Sequence, residues 1–531
     1  MAICPLLNAR FHRHACVLVL GCLMFNLSAF AQSPSINRTT PLSLVPGQTN
    51  ILTVQGENLS AAPLLWTSFP AAIETIAGAT ADKKSSEARF RIAVPAEQPA
   101  GIGVIRIATT NGVSNWHLLL LDPFGAHEVP ASNGNLAQAF PLNGPGAFEG
   151  ACSEREFEFF QFASRRNQRF HFEIVAHRIG SALDPIVRVL DAGGKEFAYC
   201  DDALGAVRDA IVSFQAPSKG NFYLELRDVT YSGGSKHFYH LRFGTKPLTK
   251  LKFLPLTSKL SSAIPSPDWT RIVEKEPNDQ TNRATRITWP CTISAAFQAG
   301  RDRDLYEFNV AQPQRLVFAG RSRSLGSPCD LRLRLLKPDG SALAESKVLD
   351  TQDGSLTNAF EQSGKYFLLV EELSQQGDPE LWYRLDVATF QPGFELSVET
   401  EKVEIDQGGT TSLKVTAQRW EYDGAIQLSI AGLGFDCDLD DAVIGEKKKE
   451  TTLKVRVPGQ VEPGTLAHFQ LLGRATAGPT DFVAVASTMP ALKKAFPQML
   501  NPPMELDGWI AMSVRSLREK PKPPGSPPAE K

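Results

Sequence analysis

Four oxygen-bearing side chains crowd into six residues at Glu274, Glu276, Asn278 and Asp279, and Asp302 and Asp304 precede the next strand-like run. Hard carboxylate and amide oxygens at this density suit Ca²⁺, which takes six to eight oxygen ligands. The three carboxylates of the first segment repel one another unless a cation or a set of hydrogen-bond donors sits among them. The sequence therefore predicts a calcium site built from Glu274, Glu276, Asn278 and Asp279 and closed by Asp302 or Asp304. The competing reading needs no metal: Pro277 and Asn278 simply turn the chain at the entrance to a domain.

Other clusters carry less. Asp184, Asp201 and Asp202 lie near turns between consecutive strands, where hydrogen bonding to turn amides accounts for them better than a metal does. The run Asp436 to Asp441 is acidic enough for a calcium loop but lacks the loop's glycine at position six and glutamate at position twelve, so it reads as a solvated acidic turn. His237 and His240 stand three apart, a spacing that sends them to opposite faces of a strand. The chain has no G-x-S-x-G, H-E-x-x-H, phosphate-loop or cysteine-protease signature, and the expectation is a protein that is not an enzyme.

The 531 residues carry a net charge of -2 with both signs interspersed, so no basic face gathers enough Lys and Arg to neutralise a row of phosphates. A nucleic-acid partner is not expected. Residues 1–31 read as a signal peptide: Arg10, His12, Arg13 and His14 give a basic start, Ala15 to Phe25 is an apolar run, and Ala29-Phe30-Ala31 is a cleavage signal. The mature chain is then secreted, periplasmic or at the cell surface, with lipoprotein anchoring at Cys22 as the alternative. No later segment has the roughly 18 unbroken apolar residues of a membrane span. Export permits disulfides. Cys152 with Cys200 and Cys291 with Cys329 are the candidate pairs, leaving Cys437 single; buried free thiols are the alternative.

The elements that must position these groups are strands. Period-two alternation runs through most of the chain, as in Ala88 to Val94 and Thr452 to Val457, and helical periodicity is scarce. One passage occurs twice. Gly180-Ser181-Ala182-Leu183-Asp184 answers to Gly326-Ser327-Pro328-Cys329-Asp330, and Tyr239-His240-Leu241-Arg242-Phe243 answers to Tyr383-Arg384-Leu385-Asp386-Val387. The predicted fold is all-β, with four tandem β-sandwich domains at 36–122, 126–245, 273–390 and 394–488. Residues 246–272 read as a Pro-rich linker, 489–516 stay unassigned, and 517–531 read as a disordered tail.

The repeats resemble bacterial pre-peptidase C-terminal (PPC) domains. Glu276-Pro277-Asn278-Asp279 matches that family's opening E-P-N-D, and Asp302-Arg303-Asp304 its D-x-D before an aromatic strand. Gly180 to Pro185 with Asp191, Gly194, Tyr199, Cys200, Asp201 and Asp202 matches a third signature, and Gly220 to Asp228 and Gly364 to Glu372 match the closing strand. The first repeat departs at its opening, where His127 to Asn133 stands in place of E-P-N-D, and at Ser153-Glu154-Arg155-Glu156 in place of D-x-D. The second departs at Lys347 to Asp350, where the paired aspartates belong. Residues 36–122 resemble immunoglobulin-like TIG domains through Leu52-Thr53-Val54-Gln55-Gly56-Glu57-Asn58-Leu59, and the layout as a whole resembles exported proteins of planctomycete-type bacteria.

The resemblance implies β-sandwich modules, Ca²⁺ held by the acidic segment of the second repeat, and partners among extracellular or envelope proteins or carbohydrates. It supports a non-catalytic binding or adhesion protein, with an accessory subunit of a secreted protease or other hydrolase as the alternative.

Overall fold

Alternation sets the strands. In Glu87–Ala93 the side chains of Ala88, Phe90 and Ile92 are fully buried while Arg89 and Arg91 face water, and in Thr410–Trp420 Leu413, Val415 and Ala417 do the same between polar neighbours. The structure, a computed structural model, describes residues 32–517 except 61, 77–85, 257–267, 347–352, 478–479 and 500. The expected signal peptide with Cys22, the middle of the linker, Lys347 to Asp350 and the tail beyond 517 lie outside the described residues. The regular structure among the described residues is nearly all strand, with a single α-helix at Met489–Ala495. The residues from Ser33 onward form one compact unit.

Tandem β-sandwiches account for the sheets. In the first, Ser35–Thr40, Thr49–Glu57, Glu87–Ala93 and Ala72–Thr75 face a second sheet of Ser43–Leu44, His117–Leu121, Gly101–Thr109 and Leu64–Thr67, around a core with Leu52, Phe90 and Ile107. The last sandwich packs its sheets around Leu413, Val455, Phe469 and Met512. It does not close near 488 as the sequence suggested. Ile510–Arg515 lies parallel to Lys402–Asp406 and antiparallel to Leu466–Ala477, so part of the unassigned stretch is a strand of this sandwich.

The two repeated passages share one topology. Gly146–Ala151, Phe238–Gly244, Arg169–Val175 and Ile211–Gln215 follow the same order in their sheet as Cys291–Ala296, Trp382–Thr389, Gln314–Arg321 and Ser355–Phe360 do in theirs. In the facing sheets, Glu158–Ser164 and Arg303–Val310 each pair with the closing strands Gly220–Asp228 and Gly364–Glu372. The glycine landmarks mark one turn. A 3₁₀ turn at His177–Ile179 ends on Gly180 with φ of 85°, and its counterpart Arg323–Leu325 ends on Gly326 with φ of 84°, a left-handed conformation that glycine adopts without strain. Asp209 accepts from the amides opening the first turn and Asp353 from those opening the second.

The modules are not beads on a string. Ile102 exchanges backbone hydrogen bonds with Lys252 and Leu254 at 2.8 Å each, so the linker begins by adding to the first sandwich. A shared core joins Leu118 and Leu120 of the first sandwich, Val175 and Phe238 of the first repeat, and Leu492 in the helix with Phe496 at its C-terminal end. Arg106, fully buried, stacks 3.6 Å over the Trp116 ring and pairs with Glu401 of the last sandwich. Proline-rich sequence concealed these contacts, because packing against a distant strand leaves no local period.

The five cysteines expected in the mature chain are all free, which corrects the pairs Cys152–Cys200 and Cys291–Cys329. Cys152, Cys291 and Cys329 are buried among apolar side chains. Burial pushes all three thiols up, Cys291 to about 11, so they pack as small protonated hydrophobes.

Candidate metal centre

Strand Thr270–Val273 runs parallel to Cys291–Ala296 and delivers Glu274, whose amide bonds to Ser294 O at 3.1 Å. Four residues on, the carbonyl of Asn278 accepts from Leu305 N at 3.3 Å and ties the segment to strand Arg303–Val310. Two unconnected strands thereby bring Glu274, Glu276 and Asn278 against Asp304. Ligand oxygens of Glu274, Glu276 and Asp304 all lie within 4.8 Å of one another.

Donors to this group are few. Glu274 accepts from Asn278 Nδ2 at 2.8 Å and from Ala296 N at 3.2 Å, and Glu276 accepts from Asn278 N at 3.1 Å. Asp304 Oδ2 accepts from the Tyr383 hydroxyl at 2.6 Å, and Tyr383 meets Tyr306 at 2.7 Å. Asp304 Oδ1 and Asn278 Oδ1 are buried and have no donor among the described residues. Two buried acceptors without donors, beside two further carboxylates, need either protons or a cation. Burial and the neighbouring Glu274 push Asp304 up to about 10, and burial with Asp302 raises Glu276. In the metal-free protein Asp304 therefore holds a proton at neutral pH.

The donor set fits a hard cation. Glu274, Glu276 and Asp304 offer three oxygens within 4.8 Å of one another, the unpartnered Oδ1 of Asn278, whose Nδ2 bonds to Glu274, is a candidate fourth, and the shell of Ca²⁺ would complete with water or the rim. Asp279 and Asp302 form that rim. Asp279 accepts from Arg303 N at 3.2 Å and Asp302 from Gln298 N at 2.7 Å, so each is partly committed to backbone. Tyr306 and Tyr383 escaped the sequence reading, although Tyr383 was one of its repeat landmarks.

The first repeat keeps the scaffold and loses the charge. The carbonyl of Asn133 accepts from Phe159 N as that of Asn278 does from Leu305 N, but its Nδ2 turns back to Phe159 O where that of Asn278 goes to Glu274; Glu158 stands where Asp304 stands, and Tyr239 reaches it at 3.3 Å. Val129, whose amide bonds to Glu149 O as that of Glu274 does to Ser294 O, replaces the first carboxylate, and Ala131 replaces Glu276. A lone Glu158 remains, pushed up to about 7 by burial.

Three of the remaining sequence candidates, Asp184, Asp201 and His240, have structural partners. Asp201 accepts from Tyr199 and from Asp202 N, and Asp184 pairs with Arg208 at 3.1 Å. His240 is fully buried between Asp122 at 3.0 Å and Glu149 at 2.9 Å. Burial opposes its charge, but the hydrogen bonds it donates to these carboxylates win and lift it to about 9. It is an ion-pair hub.

No family model matches the chain. A probable subtilase-type serine protease of Deinococcus radiodurans is 31% identical over 110 residues, which is 20% of this chain and 14% of that protein. The chain thus spans about one seventh of the curated relative it matches. Among solved structures, the pre-peptidase C-terminal domain of a collagenase from Bacillus anthracis aligns at 20% identity over 22% of this chain and 99% of its own, with a TM-score of 0.17. Surface layer protein SbsC, domains 1–6, aligns at 8% identity over 92% of this chain and 55% of that chain, with a TM-score of 0.15.

Proposed function

We propose that this is an exported, non-catalytic binding protein of β-sandwich modules in which a Ca²⁺ ion stiffens the entrance to the second repeat. The observation that carries the reading is the meeting of Glu274, Glu276 and Asp304, with the buried oxygens of Asp304 and Asn278 lacking donors. A cation there joins the incoming segment to strand Arg303–Val310 and fixes the linker end of the repeat. The partners on this reading are extracellular or envelope proteins or carbohydrates. Among the described residues no helix is long and apolar enough to cross a membrane.

The second reading, an accessory part of a secreted protease, rests on the 110-residue match to the subtilase-type protein. One experiment addresses both. The chain from residue 32 is assayed for calcium-dependent thermal stabilisation and, with and without calcium, against a panel of peptide and glycoside substrates. Stabilisation by calcium with no turnover supports the binding protein. Turnover, or melting indifferent to calcium, overturns it.

A further inference from the structure

Where the first sandwich meets the first repeat, the surface folds into a cleft of about 310 Å³. Its walls are mainly apolar: Pro123 and Phe124 come from the loop after His117–Leu121, Pro145 precedes Gly146–Ala151, and Pro247 and Leu248 follow Phe238–Gly244, with Thr245, Lys246 and Thr249 as the polar part of the lining. Arg242 lines it from within the fold. The size, the apolar lining and the position between modules are those of small-molecule sites, which span ~300–1,000 Å³ and carry a few placed polar groups.

The placed group is unusual in one respect. Arg242 gives Nε to Asp122 at 2.7 Å and Nη1 to Glu173 and to Thr249 O, yet its Nη2 is buried without an acceptor among the described residues. Buried donors are nearly always satisfied. Charge decides what is missing. Around Arg242 the buried cations Arg178 and His240 meet Asp122, Glu149, Glu173 and Asp209, so the buried carboxylates outnumber the buried cations, and Lys246 on the cleft wall is exposed, where water and salt screen its charge. Another anion would add to that excess. A neutral oxygen would not.

We propose that this cleft binds a small neutral molecule bearing a carbonyl oxygen on an apolar body, such as an N-acyl or tertiary amide compound. The oxygen accepts from Arg242 Nη2, and the apolar part lies against Phe124 and the three prolines. Water does not reach Nη2 in this conformation, so the wall yields slightly on binding; the segment 245–249, exposed for most of its length, is the part able to do so.

Fluorine NMR on the chain from residue 32 tests this with three probes of similar shape: para-fluoro-N,N-dimethylbenzamide, the anion para-fluorobenzoate and the neutral hydrocarbon para-fluoro-isopropylbenzene. The amide should bind saturably and the other two about tenfold more weakly, one for its charge and one for its lack of an acceptor. Arg242→Lys keeps the charge and removes Nη2, and should cost the amide about fivefold or more. Should that variant fail to fold, Phe124→Ala, which removes an apolar wall, must weaken the amide by a similar factor. Equal binding of the three probes, no saturable amide binding, or amide binding that survives Phe124→Ala or a folded Arg242→Lys overturns the proposal.

Discussion

Tyr383 gives its hydroxyl to Asp304 across 2.6 Å, and the matching Tyr239 reaches Glu158 in the first repeat across 3.3 Å. The same anchor therefore holds a buried carboxylate in both copies. What surrounds it differs: Glu274 and Glu276 in the second, Val129 and Ala131 in the first. The second copy is left with mutual repulsion to relieve.

That difference sets a pH dependence. The folded protein raises Asp304 to about 10 from 3.8, so in chelator the proton stabilises the fold and its contribution is lost as pH rises through the folded value. Calcium competes with that proton, and its affinity should therefore climb with pH. Melting curves at pH about 6 and about 9, in calcium and in chelator, should show the calcium effect growing at the higher pH. Asp304→Asn, which imitates the protonated acid, should melt like the parent in neutral chelator and lose the calcium response.

His240 offers a second test of buried charge. Raised to about 9 from 6.5, it supplies stability that is complete below the unfolded value and lost as pH rises through 9. His240→Gln leaves Asp122 and Glu149 facing each other without a cation between them, and should cost about 3–5 kcal/mol in denaturant unfolding at neutral pH.

Thiol titration of the chain from residue 32 should find five reactive groups under denaturing, non-reducing conditions. In the native protein Cys152, Cys291 and Cys329 should stay silent, since burial keeps them protonated and out of reach. A single free thiol after denaturation would restore the paired-cysteine reading.

Much of the fold was legible because period two is a local signal. The repeat landmarks Gly180 and Gly326 mark a turn that needs a left-handed residue, and Glu274, Glu276 and Asn278 stand close enough in sequence to be read as one group. Asp304 was legible only as one of two choices, because selecting it over Asp302 depends on the register of Arg303–Val310 against Gly364–Glu372. The joints were not legible at all. Leu492 and Phe496 look like stray apolar residues in a Pro-rich stretch until Leu118 and Val175 are packed against them.

Those joints make the residues from Ser33 onward one compact unit where the sequence suggested tandem domains and a Pro-rich linker. Nicking the backbone within 257–267 should leave the pieces together on gel filtration. Leu492→Ala opens a cavity in the shared core and should cost about 2–5 kcal/mol, with loosening of both the first sandwich and the first repeat in hydrogen exchange.

The most direct measurement is calcium binding by the chain from residue 32 in equilibrium dialysis, beside Glu276→Ala and a control, Glu158→Gln, in the first repeat. Exported calcium modules bind with Kd of about 10⁻⁴ to 10⁻³ M, and at about 1 mM calcium a Kd of 10⁻⁴ M stabilises the fold by about 1.4 kcal/mol. The account predicts one ion per chain in that range, lost in Glu276→Ala and kept in Glu158→Gln. No binding at millimolar calcium, or binding untouched by Glu276→Ala, would contradict it.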